Sequence, residues 1–594
     1  MKKILLGAAI SAALFGGVAN AAITFDPKTN MPTAATLADT QVVYLSGSSA
    51  QAELFDRSLL VGTSESICKL GTVHKFMDPP SGSNQLVYLC ALNTAANGSA
   101  TPNTRIPSTI TKSNILLFKR NEGGSVFGIS PIITPAAIAF LNVTTNTSPC
   151  TVIAPGLFAS TRTCAYSKDT NRTLATPTFG VSDVNPQSFT VAGENAPAGT
   201  VPAAPPGPTP STYQVVSGPA TVFGLAVTTK LRKALQQAQF AANSTCNPTN
   251  AGYKDLAGNA KDTADSELCM PNLNSDTIAA IFAAYTAPFS PLVANVSAPA
   301  LGAGKIHQWT QIKTGAATNL FDQTISANKP ANAKVHICSR TIGSGTRAQF
   351  GIKFLNNTCS LYSSKVVSHA DHTAIGEPGQ SFFKAGPIAN PESLLRPMVH
   401  AMASGGGLEE CLNELDNGSA NTAGSFAPGE AYGAPGATAV RWAIGFHSLD
   451  KNASLSSNFR FIKIDGVSPS LDKVAAGRYP DWVEGTFQYN VKTLPSSGVK
   501  DLVLEMIRSF GTPSVVSFVN KSSGTHTWGT SGFLAVPNAA HAAPLNGLVN
   551  LAAPVNPLSH AIFPGTGAQA TNDCRNPLIY STSPNNNLQG LQIK

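Results

Sequence analysis

Charge is scarce in this chain. Asp, Glu, Lys and Arg make up 12% of its 594 residues, where an ordinary soluble domain carries about 25%. The formal charge of +8 is spread along the whole length, and no lysine/arginine block exceeds two residues. Nucleic-acid binding needs a concentrated basic patch, so the pattern argues against such a partner. Beyond residue 21 no uncharged run of 18 or more strongly apolar residues occurs, so no membrane insertion is expected there. There is no C-x-x-C, which removes zinc-ribbon and thioredoxin-type chemistry. Gly302-Ala303-Gly304-Lys305 lacks the hydroxyl after lysine and the first glycine of a P-loop. Around Ser125 the last position of a nucleophile elbow is Phe127 rather than glycine. With no nucleophile–base pair assembled, the chain does not read as an enzyme. No cofactor or metal is called for either: His369, Asp371 and His372 read as a solvated turn. Glu409, Glu410, Glu414 and Asp416 read as a solvated helix face. No internal repeat is present.

What is present begins with an export signature. Lys2 and Lys3 precede an apolar run from Ile4 to Val18, and Ala19-Asn20-Ala21 forms an A-x-A cleavage pattern. Residues 1–21 are therefore expected to be a bacterial-style signal peptide, and the protein periplasmic, or secreted and extracellular. Ten cysteines, an even count, suit disulfides in that compartment. The intervals 68–90, 150–164, 246–269 and 338–359 invite four local loops and leave Cys411 with Cys574. Intervals alone do not prove a pairing.

Short apolar strands recur, each running into a Gly/Ser turn. Val42–Leu45 leads to Ser46-Gly47-Ser48-Ser49 and a helical pattern over Ala50–Leu60. Ile115–Phe118 leads to Gly123-Gly124-Ser125, and Phe179-Gly180-Val181 to Ser182-Asp183. Val335–Cys338 leads to Gly343-Ser344-Gly345-Thr346, then to a helix carrying Phe350 and Phe354. Strand, turn and helix in this order predict an α/β fold with mixed, mostly parallel sheets flanked by helices. Residues 61–110, 130–178 and 360–438 look like loop insertions, 196–211 like an extended Pro-rich loop, and 526–594 like a tail of low periodicity.

A strand entering Gly-Ser-Gly-Thr turns several backbone N–H groups toward one point, a ready anion site. Ser344 and Thr346 add hydroxyls, and Arg340 adds a two-pronged donor suited to a tetrahedral oxyanion. Taken singly, each turn also reads as a capped helix or a glycine or Asx turn.

The order of these pieces resembles the phosphate-binding proteins of bacterial phosphate ABC transporters. Leu45–Gln51 resembles that family's opening strand–turn–helix, Gly124-Ser125 its second serine turn, and Phe179–Pro186 its G-A-S-D segment. Val215–Leu231 is similar to the crossover strand, and Leu273–Tyr285 with Trp309 to an I-F…W element. Arg340–Thr346 is similar to R-x-x-G-S-G-T, the most specific match. Ala443–Phe446 resembles A-I-G-Y, Ile464–Pro469 with Gly477–Pro480 resembles D-G-V-x-P…G-x-Y-P, and Val499–Val519 resembles the last long helix.

This resemblance implies a two-lobed periplasmic binding protein-like fold of type II. Lobe 1 would comprise 22–214 with a return over 476–525, and lobe 2 would comprise 215–475. It implies that inorganic phosphate, or a related oxyanion, lies between them, with an ABC transporter permease as a further partner. Arg340, Ser344, Gly345 and Thr346 would donate from one lobe and Ser125 from the other. Asp183 would accept the ligand's proton. Ala50 and Gln51 fall near the first-turn contacts, although Gln51 stands where the family usually has Thr or Ser. Ile342 stands where the family often has an acid. Asp183 would discriminate by repulsion, since sulfate has no proton to offer an unpaired carboxylate. The alternative is a secreted or surface-associated structural or adhesive protein on the same scaffold.

Overall fold

The computed structural model describes residues 23–79, 84–153, 156–184, 186–189, 212–254, 263–283, 306–355, 397–418, 440–494 and 497–535. The expected signal peptide, the Pro-rich loop, Gly302–Lys305, Cys359, His369, Asp371, His372 and Cys574 lie outside these residues.

The chain is mixed α/β, as its pattern of strands and turns implies. Two parallel triplets form the heart of one large sheet. In the first, Thr40–Gly47 lies between Asn114–Arg120 and Phe179–Ser182. In the second, His336–Arg340 lies between Met398–Met402 and Ala443–Ser448. All of Asn114–Arg120 and His336–Arg340 is buried, as strands covered on both faces must be.

The triplets are joined by Tyr213–Thr228, a single strand of 16 residues. Its first part pairs antiparallel with Trp482–Asn490, which pairs onward with Phe179–Ser182. Its last part pairs antiparallel with Ala443–Ser448 and Phe459–Ile464. Between Ser217 and Ala220 the register shifts. Pro219, which has no N–H for the ladder, lies inside that irregularity.

Each half has its own apolar cluster. Val43, Leu45, Phe55, Phe487 and Phe510 belong to the first. Leu225, Val227, Ile337, Trp442 and Phe446 belong to the second. The single last helix expected over Val499–Val519 is two, Gly498–Gly511 and Pro513–Ser523, bent by 56°. Pro513 forces Thr512 out of helical geometry, and Thr512 sits at φ −70°, ψ 142°. No single helix among the described residues is long and apolar enough to cross a membrane.

The segment 61–110, read as a loop insertion, supplies two strands of the large sheet, His74–Met77 and Gln85–Ala91, the latter paired with Asn114–Arg120. Two further expectations need correction. Part of the segment read as the 360–438 insertion is integral to the second half: Met398–Met402 is a sheet strand and Gly405–Asn417 a covering helix. On that helix Glu414 and Asp416 are buried rather than solvated. Asp416 accepts from the backbone N–H of Lys230 at 3.0 Å, at the start of the helix Thr229–Gln239. The second correction follows from the first. Cys68–Cys90, Cys150–Cys164 and Cys246–Cys269 pair as the intervals invite, but Cys338 pairs with Cys411. The helix lies over the strand that carries Cys338, and the two Cα atoms are 6.0 Å apart, within disulfide reach. This excludes both Cys338–Cys359 and Cys411–Cys574.

Closing the Cys338–Cys411 loop, a separation of 73 residues, contributes roughly 4 kcal/mol by unfolded-chain entropy. A non-reducing digest should yield a linked Cys338/Cys411 peptide, and Cys411→Ser should lower the thermal midpoint. Buried histidines add a pH dependence. His336 and His400 stack at 5.5 Å with ring nitrogens 3.3 Å apart. Burial holds His336 well below its ordinary pKa, His400 down at about 3 and His526 at about 4. Below about pH 6.5 the unfolded chain takes up these protons and the folded chain does not. Stability is therefore complete above that pH and declines below it, by about 2 kcal/mol per histidine at pH 5. Melting curves from pH 7.5 to 5 should shift downward accordingly.

Candidate functional site

The first half supplies three turns. Thr40–Gly47 ends on Gly47 at φ 120°, where an added Cβ would lie 1.9 Å from the Val181 carbonyl oxygen. Only glycine fits this crossing. Ser48 follows and donates its hydroxyl to Asp183 Oδ1, and the Ala50 N–H donates to Ser48 Oγ at 3.1 Å. Asn114–Arg120 delivers Ser125 through Gly123 and Gly124, both at positive φ. The Asp183 N–H donates to Ser125 Oγ at 3.2 Å, and Ser125 Oγ lies 3.4 Å from Asp183 Oδ2.

The second half supplies Arg340 and the Gly343–Thr346 turn. Ser344 caps the short helix Gly345–Phe350 by accepting from the Arg347 N–H. The chain then widens into a π turn over Gly351–Leu355, which stacks Phe350 on Phe354 at 4.8 Å.

The two halves meet at these turns. Thr346 Oγ1 donates to Asp183 Oδ2 at 3.3 Å. Arg340 Nη2 donates to Ser49 Oγ at 3.0 Å and to the Ala403 carbonyl at 3.1 Å, while its Nε donates to the Met402 carbonyl at 3.2 Å. The Gly405 N–H also donates to Ser49 Oγ, at 3.2 Å. The Val126 N–H donates to the Gly343 carbonyl at 3.0 Å. Gly345 packs so closely that a Cβ there would lie 2.3 Å from Ser125 Oγ and 2.8 Å from Asp183 Cβ.

Arg340, Ser344, Gly345, Thr346, Asp183 and Ser125 thus converge, and all of them are buried. Ala50 reaches the cluster through its backbone. Gln51 does not. Its buried amide is turned toward Gly485 on the strand Trp482–Asn490, where an added Cβ would lie 2.4 Å from Nε2, and it has no hydrogen-bond partner among the described residues.

Three residues escaped selection from the sequence. Ser48 and Ser49 stood inside a turn whose hydroxyls read as local caps. Lys119, directly after the apolar run Ile115–Phe118, is fully buried. Its ammonium donates to the carbonyls of Gly47 at 3.1 Å and Ser48 at 2.9 Å, and to Asn121 Oδ1 at 2.7 Å. A lysine closing an apolar strand run was the available signal.

Burial dominates the electrostatics. It raises the pKa of Asp183, against the Ser48 hydrogen bond, the Arg340 charge, Thr346 and Lys119, which all favour the carboxylate. It lowers Arg340 to about 10 and Lys119 to about 7, while the Asp183 charge works the other way on both. The arrangement offers hydroxyls, amides and a guanidinium around a carboxyl that burial disposes to accept a proton.

No family model and no curated protein matches the chain. Solved structures do. One, from Clostridium perfringens, is assigned as a phosphate ABC transporter substrate-binding protein and contains bound phosphate; it is 12% identical, covering 81% of this chain and 98% of that one, at a TM-score of 0.33. PstS from Borrelia burgdorferi is 9% identical over 84% and 100%, at 0.27. An ABC-type phosphate transport receptor from Vibrio cholerae is 11% identical over 58% and 78%, at 0.25. The likeness is distant.

The contact at Gly345 can be probed directly. Gly345→Ala should hold the halves apart at Ser125 and Asp183, while either half keeps its core. Small-angle scattering should report a larger radius of gyration than for the unsubstituted protein.

Proposed function

We propose that this protein is an exported solute-binding protein that holds inorganic phosphate, or a related protonated oxyanion, between two lobes. In this reading lobe 1 is 22–214 with 476–525, lobe 2 is 215–475, and an ABC permease receives the ligand. The observation that carries the reading is a buried pair of opposite charges, Asp183 from one half and Arg340 from the other, amid hydroxyls from both. An oxyanion leaving water needs many neutral donors and a charge partner, or desolvation cancels its attraction. Ser48, Ser49, Ser125 and Thr346 are such donors, and Arg340 is the partner. Asp183 supplies the discrimination, because its carboxylate suits a ligand that carries a proton and opposes one that does not. Binding and release of this kind need no covalent step.

Calorimetry with phosphate and sulfate tests the reading. Phosphate should bind and sulfate should not. Arg340→Ala should weaken phosphate by two orders of magnitude or more, the consequence of leaving a buried charge unpaired. Asp183→Asn should narrow the gap between the two anions. Silence with both anions would overturn the reading in favour of a structural or adhesive protein.

A further inference from the structure

Resting on that reading, we propose that Lys119 sets which oxyanion the site accepts: its ammonium keeps Asp183 a carboxylate, so that a proton on the ligand becomes a condition of binding. It does so without touching the ligand.

Discrimination by Asp183 needs the carboxyl ionised, and its surroundings press the other way. Burial is the largest influence on it and favours the neutral acid. A neutral Asp183 offers a proton instead of asking for one, and an unprotonated oxyanion such as sulfate is then received as well. Arg340 is an incomplete answer. Its guanidinium donates to Ser49 Oγ and to the Met402 and Ala403 carbonyls, and none of these bonds reaches Asp183. It also comes from the other half, so in the proposed reading it withdraws from Asp183 whenever the two lobes part.

Lys119 stands on the same half as Asp183. Its strand, Asn114–Arg120, flanks Thr40–Gly47 on one side, and Phe179–Ser182, which runs into Asp183, flanks it on the other. The ammonium donates to the carbonyls of Gly47 and Ser48, to the Arg120 carbonyl at 3.1 Å and to Asn121 Oδ1. Three N–H groups shared among these neutral oxygens leave none for a ligand, and no carboxylate among them cancels the charge. Its cross-strand neighbours are Leu45 and Leu86, and from the helix Ala52–Ser58 the Phe55 ring lies 5.4 Å away. The charges that act on it are those of Asp183, which favours the ammonium, and Arg120, which opposes it.

In such apolar surroundings the field of an ammonium is little screened. The covalent path to the carboxyl is also short. Lys119 holds the Ser48 carbonyl at 2.9 Å, and the Ser48 hydroxyl donates to Asp183 Oδ1. The Ala50 N–H donates to the same Ser48 oxygen, which leaves the Ser48 proton aimed at the carboxylate. Lys119 is thus a positioning residue for the turn and the resident cation for Asp183.

Calorimetry with phosphate, and with sulfate by displacement of phosphate, tests this at pH 6.5, below the value of about 7 to which burial lowers Lys119. Lys119→Met keeps the apolar stem and removes the charge. It should narrow the phosphate-to-sulfate affinity ratio by at least about tenfold. In an Asp183→Asn background the same substitution should leave the ratio where Asp183→Asn alone puts it. If Lys119→Met does not fold, Asn121→Leu, which removes the nearest acceptor of the ammonium, takes its place, with a narrowing of several-fold expected. Equal weakening of both anions, with the ratio kept, would show a mere clamp on the turn and overturn the inference while the oxyanion reading stands. A further narrowing in the Asp183→Asn background would overturn it too, because Lys119 would then act on the ligand itself. Binding of neither anion by the unsubstituted protein would overturn the reading beneath.

Discussion

Asp183 and Arg340 are opposite charges held almost wholly away from water, and they come from different halves of the molecule. Neither is stable there alone, because an ion taken into a low-dielectric interior loses several kcal/mol of solvation. Much around them answers that constraint. Ser48, Ser125 and Thr346 direct hydroxyls at the carboxyl, and the Met402 and Ala403 carbonyls receive the guanidinium. Lys119 fixes the carbonyls of Gly47 and Ser48 and contributes a second positive charge. Glycine stands at 47 and 345, where any side chain would strike a neighbour.

The α/β character and the site turns were legible because each depends on neighbours in the chain. A β-branched and aromatic run followed by Gly and Ser announces a strand and a turn wherever it folds. The Arg340–Thr346 motif and Asp183 were legible for the same reason. What depends on distant contacts was not. Cys338 has Cys359 nearby in sequence, yet its partner Cys411 arrives on a helix that only the tertiary fold lays over the strand. That helix sits in a stretch rich in Ser, Gly and Asn, whose composition suggests a loop. Its Ser404–Gly407 start reads as flexible until the strand Met398–Met402 beside it fixes its place.

Gln51 illustrates a different limit. Its place in a turn that resembles the phosphate-binding family's first-turn contacts suggested a ligand contact, and sequence order is silent on which way a side chain turns at the start of a helix. The backbone there delivers Ala50 to the Ser48 hydroxyl and sends Gln51 toward Gly485. Lys119 shows the converse. A lysine at the end of an apolar strand, next to Arg120, is easily passed over, although burying it without several acceptors would be prohibitive, so its burial demands a polar nook at the strand's end.

Tyr213–Thr228 is one length of backbone laid into both halves. Sliding one half past the other would tear ladders at either end together, so translation is resisted and swivelling remains. The irregularity between Ser217 and Ala220, where Pro219 withholds a hydrogen bond, is the softest point along it. The freedom that such a shared strand leaves between its two ends is angular rather than sliding.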